Sequence, residues 1–354
     1  MRMRTLLAVT VSCATLALAG QAAAQATTAA EAPAAPLRAY VPTTVSPQAA
    51  AILNASRPSL LGPRPAAPRT AAGYVALNQL FERMVAPREA GLIKALGVTV
   101  TDRQMGGVHV VEVLPAGYKD DGSVLIYVHG GGFIGGSAHS SLLSSGNMAR
   151  ATGRRVISVD YTLAPMGQWP LITDQLVAVY KAVLAQGAPA KRIGMYGESA
   201  GGNIIAGTAF KIRDQGLPAP AALLLISPAT DLTGAGDTRV TLAEADPVLY
   251  APAVQPAIDL YAAPADQTRP YVSPVYGDFT KGYPPVLILG GTKEILLSDM
   301  VRLHRAIKRA GGNSDLELYE GMPHAFPPMM MGAPEGKAAM AEAVAFWNRY
   351  LAKR

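Results

Sequence analysis

The apolar positions of this chain fall into short dense runs separated by longer stretches with a helical repeat. Residues 124–128, 156–159, 193–196, 222–226 and 285–289 are brief and almost wholly aliphatic or β-branched. Such runs predict strands buried on both faces, because a strand with one wet face alternates polar and apolar instead. Residues 140–152, 172–185, 200–215, 298–310 and 334–351 space their apolar side chains as covering helices do, and Pro334 stands at a first helical position, where proline is tolerated. Upstream, 98–103 and 108–114 read as an antiparallel pair leading into the sheet, and 316–319 reads as its last strand. Strands trailed by helices predict an α/β fold with a mostly parallel, doubly wound sheet.

Four stretches fall outside that alternation. Residues 1–26 carry Arg2 and Arg4, an apolar run over 6–19 and small residues through Ala26. This is the pattern of a cleavable secretory signal peptide, too short to span a bilayer, where roughly 20 apolar residues are needed. Cleavage is expected after Ala24 or Ala26, with a periplasmic or secreted product. Residues 27–72 are rich in Ala and Pro, with eight prolines from Pro33 to Pro68 and little periodicity, and predict an extended or partly helical arm. The α/β domain follows over 73–354. Within it, the helical spacing of 73–96 and the strandless interruption at 231–281, helical around 251–261, predict the two parts of a cap. No internal repeat is apparent.

Composition narrows the function. Cys13 is the one cysteine and lies in the leader, so the mature chain would hold neither disulfides nor thiolate metal sites nor a cysteine nucleophile. The formal charge of +6 falls to +4 without Arg2 and Arg4, and both signs are interspersed. Nucleic-acid binders cluster their basic residues, whereas the densest basic stretch here, 302–309, reads as the wet side of one helix. Neither a nucleic-acid partner nor stable membrane insertion is expected.

The candidate chemistry lies at strand ends. Gly197-Glu-Ser199-Ala-Gly201 has the G-x-S-x-G spacing at a strand-to-helix turn, where flanking glycines let a serine be held in a strained, exposed position near the positive end of a helix. His129-Gly130-Gly131-Gly132-Phe133 follows an earlier strand, and the amides of Gly131 and Gly132, with that of Ala200, could hold a developing oxyanion. His129 reads as a shaper of this loop, not a proton carrier. A serine needs a base. Of the two histidines after Ser199, His304 sits mid-helix among basic residues, whereas His324 lies in a loop after the last strand, as a base should. The acid belongs after the strand at 285–289, where Glu294 and Asp299 both stand; Glu294 is the choice, because it is nearer the strand end while Asp299 fits a helix's first turn. Gly130, Gly132 and Gly135 also match G-x-G-x-x-G, with Asp160 one strand later, so a dinucleotide enzyme is a rival reading. Against it, 137–141 reads as loop and not as an immediate helix.

Together, His129-Gly-Gly-Gly-Phe133, Asp160-Tyr-Thr-Leu-Ala-Pro165 and Gly197-Glu-Ser-Ala-Gly-Gly-Asn203 resemble, in order, the motifs of the hormone-sensitive-lipase-like (fold-3) bacterial esterases of the α/β-hydrolase fold. The likeness spans about residues 75–350. With Ser199, His324 and Glu294 read as the triad, the chain is expected to be a serine carboxylesterase, and the resemblance implies a preference for short-acyl esters. It also implies a helical cap and no metal or organic cofactor. Members usually carry Glu where this chain has Met166 and Asp where Glu294 stands. Glu198, before the nucleophile, is expected to anchor the elbow. A second rival is a ligand-binding relative that has lost catalysis, although here all three triad positions are filled. Oligomeric state is open, a homodimer included, as is cleavage of lactones or amides by the same machinery.

Overall fold

The computed structural model describes residues 36–64 and 66–351; the leader expected over 1–26, with Cys13, lies outside the described residues. In chain order, α1 (Pro47–Leu61), α2 (Ala71–Val85) and α3 (Glu89–Leu96) precede the hairpin β1 (Val98–Met105) and β2 (Val108–Pro115). Next come β3 (Val124–Val128), α4 (Leu142–Thr152), β4 (Arg155–Val159), α5 (Trp169–Ala185), β5 (Ile193–Glu198), α6 (Ala200–Asp214) and β6 (Ala222–Ile226). The chain then forms α7 (Thr238–Thr241) and α8 (Ala251–Tyr261), and closes with β7 (Val286–Lys293), α9 (Leu297–Arg309), β8 (Ser314–Pro323) and α10 (Pro334–Tyr350). No described helix is long and apolar enough to cross a membrane.

The eight strands form one sheet in the order β1-β2-β4-β3-β5-β6-β7-β8. β1 and β2 pair antiparallel, β2 meets β4 antiparallel, and every later pairing is parallel. The apolar runs explain the layering. Successive side chains of a strand point to opposite faces, so Ile126 and Val128 join the core under α5, α6 and α9, while Leu125 and Tyr127 join the core under α4 and α10. Both faces are dry, and each fully buried Leu or Ile contributes roughly 1.5–3 kcal/mol. The result is the expected mostly parallel, doubly wound α/β-hydrolase sheet.

The segment before β1 is less independent than its composition suggests. Ser46 caps α1 by accepting from the Ala49 amide, and its own amide and hydroxyl donate to Glu335 at 2.7 Å each. Val45 and Ala49 are buried in the core shared with α4 and α10. Lys293, just before the candidate acid, donates to the carbonyl of Tyr40 at 2.5 Å. Arg64 donates to the carbonyls of Ala243, Asp246 and Leu249, so the arm is tied to the 231–281 insertion. Apart from the Ser46 cap, each contact is long-range, which is why an Ala/Pro composition could not announce it.

Candidate active site

β5 lies between β3 and β6 at the centre of the sheet, and Ser199 follows it directly. Its backbone has φ +56°, ψ −121°, outside the ordinary regions for an L-residue. Glycine makes this turn feasible: a Cβ on Gly201 would stand 2.0 Å from the Val128 carbonyl oxygen, so the helix could not begin so close to β3 with any side chain there. The Ser199 amide donates to the Ile226 carbonyl at 2.9 Å, holding the turn against β6. Behind it Glu198 anchors the elbow as expected. Its carboxylate accepts from Tyr127 Oη at 2.6 Å and from Ser144 Oγ at 3.0 and 3.1 Å, and burial raises its pKa despite those hydrogen bonds.

The carboxyl end of β3 runs into the glycine loop. Gly131 has φ +111°, and a Cβ on it would stand 2.0 Å from the Gly135 carbonyl oxygen, which its close turn does not permit. Among the described residues, the amides of Gly131, Gly132 and Ala200 donate to no acceptor. His129 is wholly buried. Its Nδ1 lies 2.7 Å from the Gly130 carbonyl, and because that oxygen can only accept, the proton must sit on Nδ1. Burial lowers the pKa of this imidazole more than its partners raise it, consistent with a loop-shaping role. Tyr161 stacks on the ring at 4.4 Å and donates to the His129 carbonyl. The 160–165 stretch therefore braces the loop. Asp160 faces His109 and the Ala138 amide, and the next helix begins only at Leu142, so the glycines do not lead into the helix N-terminus that a dinucleotide phosphate requires.

At the ends of β7 and β8 the structure brings two of the expected residues together. His324 Nδ1 lies 2.8 Å from Glu294 Oε2. Both side chains are buried, and the other Glu294 oxygen accepts from the Gly291 amide at 2.6 Å and from Ser227 Oγ at 2.7 Å. Three donors thus fix one carboxylate, and His324 Nε2 is left as the nitrogen available to a reaction. Burial pulls the His324 pKa down, but the Glu294 hydrogen bond and the charges of Glu294, Asp246 and Glu198 outweigh it, leaving the pKa above the ordinary 6.5. No hydrogen bond among the described residues joins the Ser199 hydroxyl to His324. Such bonds are commonly long in substrate-free enzymes and tighten in the complex.

The other candidates lie elsewhere. Asp299 is buried in the first turn of α9, where Arg239 and the Asp231 amide donate to it, and burial pushes its pKa up to about 6. His304 lies on α9, 3.0 Å from Ser314 Oγ, with its pKa lowered by partial burial and by Lys308 and Arg305.

Two residues of the site were not singled out from the sequence. Ser227, at φ +46° just past β6, donates to Glu294 and accepts from the Ala325 amide at 3.0 Å, so one hydroxyl joins the acid to the histidine loop. Asp246 is buried and accepts from the amides of Val248, Leu249 and Ile295, fastening the insertion to the Glu294 loop. A polar residue directly after a wholly apolar strand, and an Asp-Pro pair inside the insertion, were the available signals. Ser227→Ala is expected to destabilise the fold by about 1–3 kcal/mol, because it strands one donor and one acceptor. Denaturant unfolding of the two proteins measures this, and an unchanged midpoint would show that the bridge carries no load.

Above Ser199 lies a mostly apolar cavity of about 620 Å³. Gly132, Phe133, Ser199 and Ala200 form its floor, while Arg64 and Tyr74 from the arm and α2, and Val254 and Ile258 from α8, also line it. Phe133 stacks on Tyr261 of α8 with ring centroids 3.9 Å apart, joining the glycine loop to the insertion.

This geometry has counterparts. A family profile described as alpha/beta hydrolase fold matches residues 125–328. An acetyl-hydrolase of Streptomyces hygroscopicus is 33% identical over 228 residues, 64% of this chain and 76% of that protein. The crystal structure of esterase E25 superposes with a TM-score of 0.79 at 30% identity, covering 88% of this chain and 96% of that one. An esterase of the bacterial hormone-sensitive lipase family gives 0.75 at 30% identity, over 86% and 99%. With the sheet, the elbow and these likenesses in agreement, the chain belongs to the alpha/beta hydrolase fold family, in its hormone-sensitive-lipase-like branch, and is a carboxylic ester hydrolase.

Proposed function

We propose that the protein hydrolyses small, short-acyl esters through an acyl-enzyme. Ser199 is the nucleophile, His324 the general base, and Glu294 the group that holds the imidazole with its proton on Nδ1. Ser199 Oγ attacks the ester carbonyl as its proton passes to His324 Nε2, and the carbonyl oxygen takes up the negative charge. The amides of Gly131, Gly132 and Ala200 receive that oxyanion; one such donor is typically worth about 3–4 kcal/mol of barrier. The imidazolium then protonates the departing alkoxide, leaving the acyl group on Ser199. Water, deprotonated by the same imidazole, releases the acid and restores the serine.

The observation that carries this reading is the His324 to Glu294 contact of 2.8 Å, with Glu294 itself locked by Gly291 and Ser227. Support for a small apolar substrate comes from the cavity volume, which falls within the usual range for small-molecule sites. The name of the Streptomyces relative points the same way.

The test is a series of 4-nitrophenyl esters graded by acyl length. Specificity, as kcat/KM, is expected to peak at short chains and to fall at least about tenfold by a dodecanoyl chain, which the cavity would have to expel into water. A maximum at long acyl chains would refute the short-acyl reading.

A further inference from the structure

On the opposite flank from β7 and β8, five side chains from five segments converge without any part in the ester chemistry. Asp102 of β1 and His109 of β2 are diagonal neighbours on one face of the hairpin, since Asp102 pairs with Val111. His139 arrives from the loop after the glycine turn. His109 Nε2 and His139 Nε2 each lie 2.9 Å from the same atom, Asp102 Oδ1. The outer nitrogens are also held: His109 Nδ1 lies 3.1 Å from Asp160 Oδ2, and His139 Nδ1 lies 2.5 Å from Glu89 Oε1. The two rings are nearly parallel, 24° apart.

Two imidazoles whose inner nitrogens meet one carboxylate oxygen, and whose outer nitrogens each face another carboxylate, form the arrangement by which proteins orient histidines on a metal. Each ring nitrogen here faces a carboxylate oxygen, which can only accept, and so donates its N–H to it; an ion that displaced the two Nε2 protons would meet the Nε2 lone pairs, with the outer carboxylates still holding the Nδ1–H tautomer. We propose that Asp102, His109 and His139 bind one divalent zinc-type ion through Oδ1 and the two Nε2 atoms, with water completing the shell. The donor set of two imidazoles and one carboxylate suits zinc, whose ligands stand about 2.0–2.2 Å away. Tetrahedral ligands at that range are about 3.4 Å apart, so the 2.9 Å contacts need to open by only about half an ångström. Asp102 is 63% exposed and each histidine about one-third exposed, so the ion has a path in from solvent and the carboxylate has room to move.

The ion would act as a clamp. It would tie the β1–β2 hairpin to the 137–141 loop, and through Glu89 to the start of α3. That loop is already fastened to the glycine turn's surroundings: the Ala138 amide donates to Asp160, Ser137 Oγ donates to Glu82, and the Gly136 amide donates to Asn78. The proposal is independent of the ester chemistry.

The test is calorimetric titration of untagged, chelator-stripped protein with zinc chloride at pH 8, since metal affinity rises as ligand protons are lost. One zinc is expected per chain, with a rise of a few degrees in melting temperature at saturating metal. His109→Ala, His139→Ala and Asp102→Asn should each weaken binding by at least about tenfold. His304→Ala, on α9 outside the cluster, should leave it unchanged. Asp102→Asn guards against misfolding, because it alters an exposed side chain while keeping its shape, and its metal-free melting curve verifies the fold. The proposal is overturned if the stripped protein takes up no zinc, or if the His109→Ala/His139→Ala double variant binds as tightly as the parent. Either result would leave the cluster as an ion-pair network of protonated imidazoles among carboxylates.

Discussion

Ser199→Ala is expected to lower kcat/KM for a short aryl ester by about 10⁴- to 10⁶-fold while leaving the melting temperature nearly unchanged. The large loss follows from the proposed triad, because a nucleophile, its base and the acid act as one unit, so removing the attacking atom leaves only oxyanion stabilisation and binding. The small structural effect follows because the Ser199 side chain makes no hydrogen bond among the described residues, while the turn is held by backbone. The φ of +56° costs alanine about as much as serine. Ester turnover and thermal unfolding of the purified variant settle the matter. Retained turnover in a folded Ser199→Ala protein would remove the acyl-enzyme mechanism altogether.

Glu294→Gln should be nearly as damaging, by about 10⁴-fold, for a different reason. In the parent, one carboxylate oxygen accepts from the Gly291 amide and Ser227, and the other accepts from His324 Nδ1–H. Glutamine keeps one acceptor. With its carbonyl turned to Gly291 and Ser227, its amide nitrogen donates to His324 Nδ1 and drives the imidazole proton onto Nε2. That nitrogen then points a proton at the serine and cannot take one. The pH profile carries a second signature. His324 must be neutral to act, and its pKa is raised, so parent activity should climb with pH through a midpoint above 6.5. Without the Glu294 charge, residual activity should climb at lower pH. A Glu294→Gln enzyme with parental kcat/KM and an unmoved acid limb would show that another group orients the histidine.

Much of this was legible in the chain because it is local. Buried parallel strands must be continuously apolar, so β3 and β6 could be placed to the residue from their runs, and strand-to-helix alternation gave a doubly wound sheet. The elbow and the glycine loop are equally local, since close backbone approach demands glycine at fixed spacings. The choice of His324 as the proposed base came from chain order and loop placement, because His304 falls inside a helix and His324 does not.

What the chain did not disclose depends on groups far apart in sequence. Glu294 could be preferred to Asp299 from its place near the strand end, but the two are five residues apart and of the same chemical class; only the tertiary structure shows that one carboxylate meets His324 while the other meets Arg239. Ser227 gains its bridging place from a strand order that sets the end of β6 beside the Glu294 loop, and Asp246 gains its own from the fold of the insertion. The arm expected over 27–72 read only as extended or partly helical, because the anchors of its described part, Glu335, Lys293 and the carbonyls met by Arg64, are supplied by other segments. Spacing along the sequence determined which backbone turns and strands could exist. The tertiary fold alone decided which polar side chains meet, because a hydrogen bond depends on distances of tenths of an ångström that no linear pattern encodes.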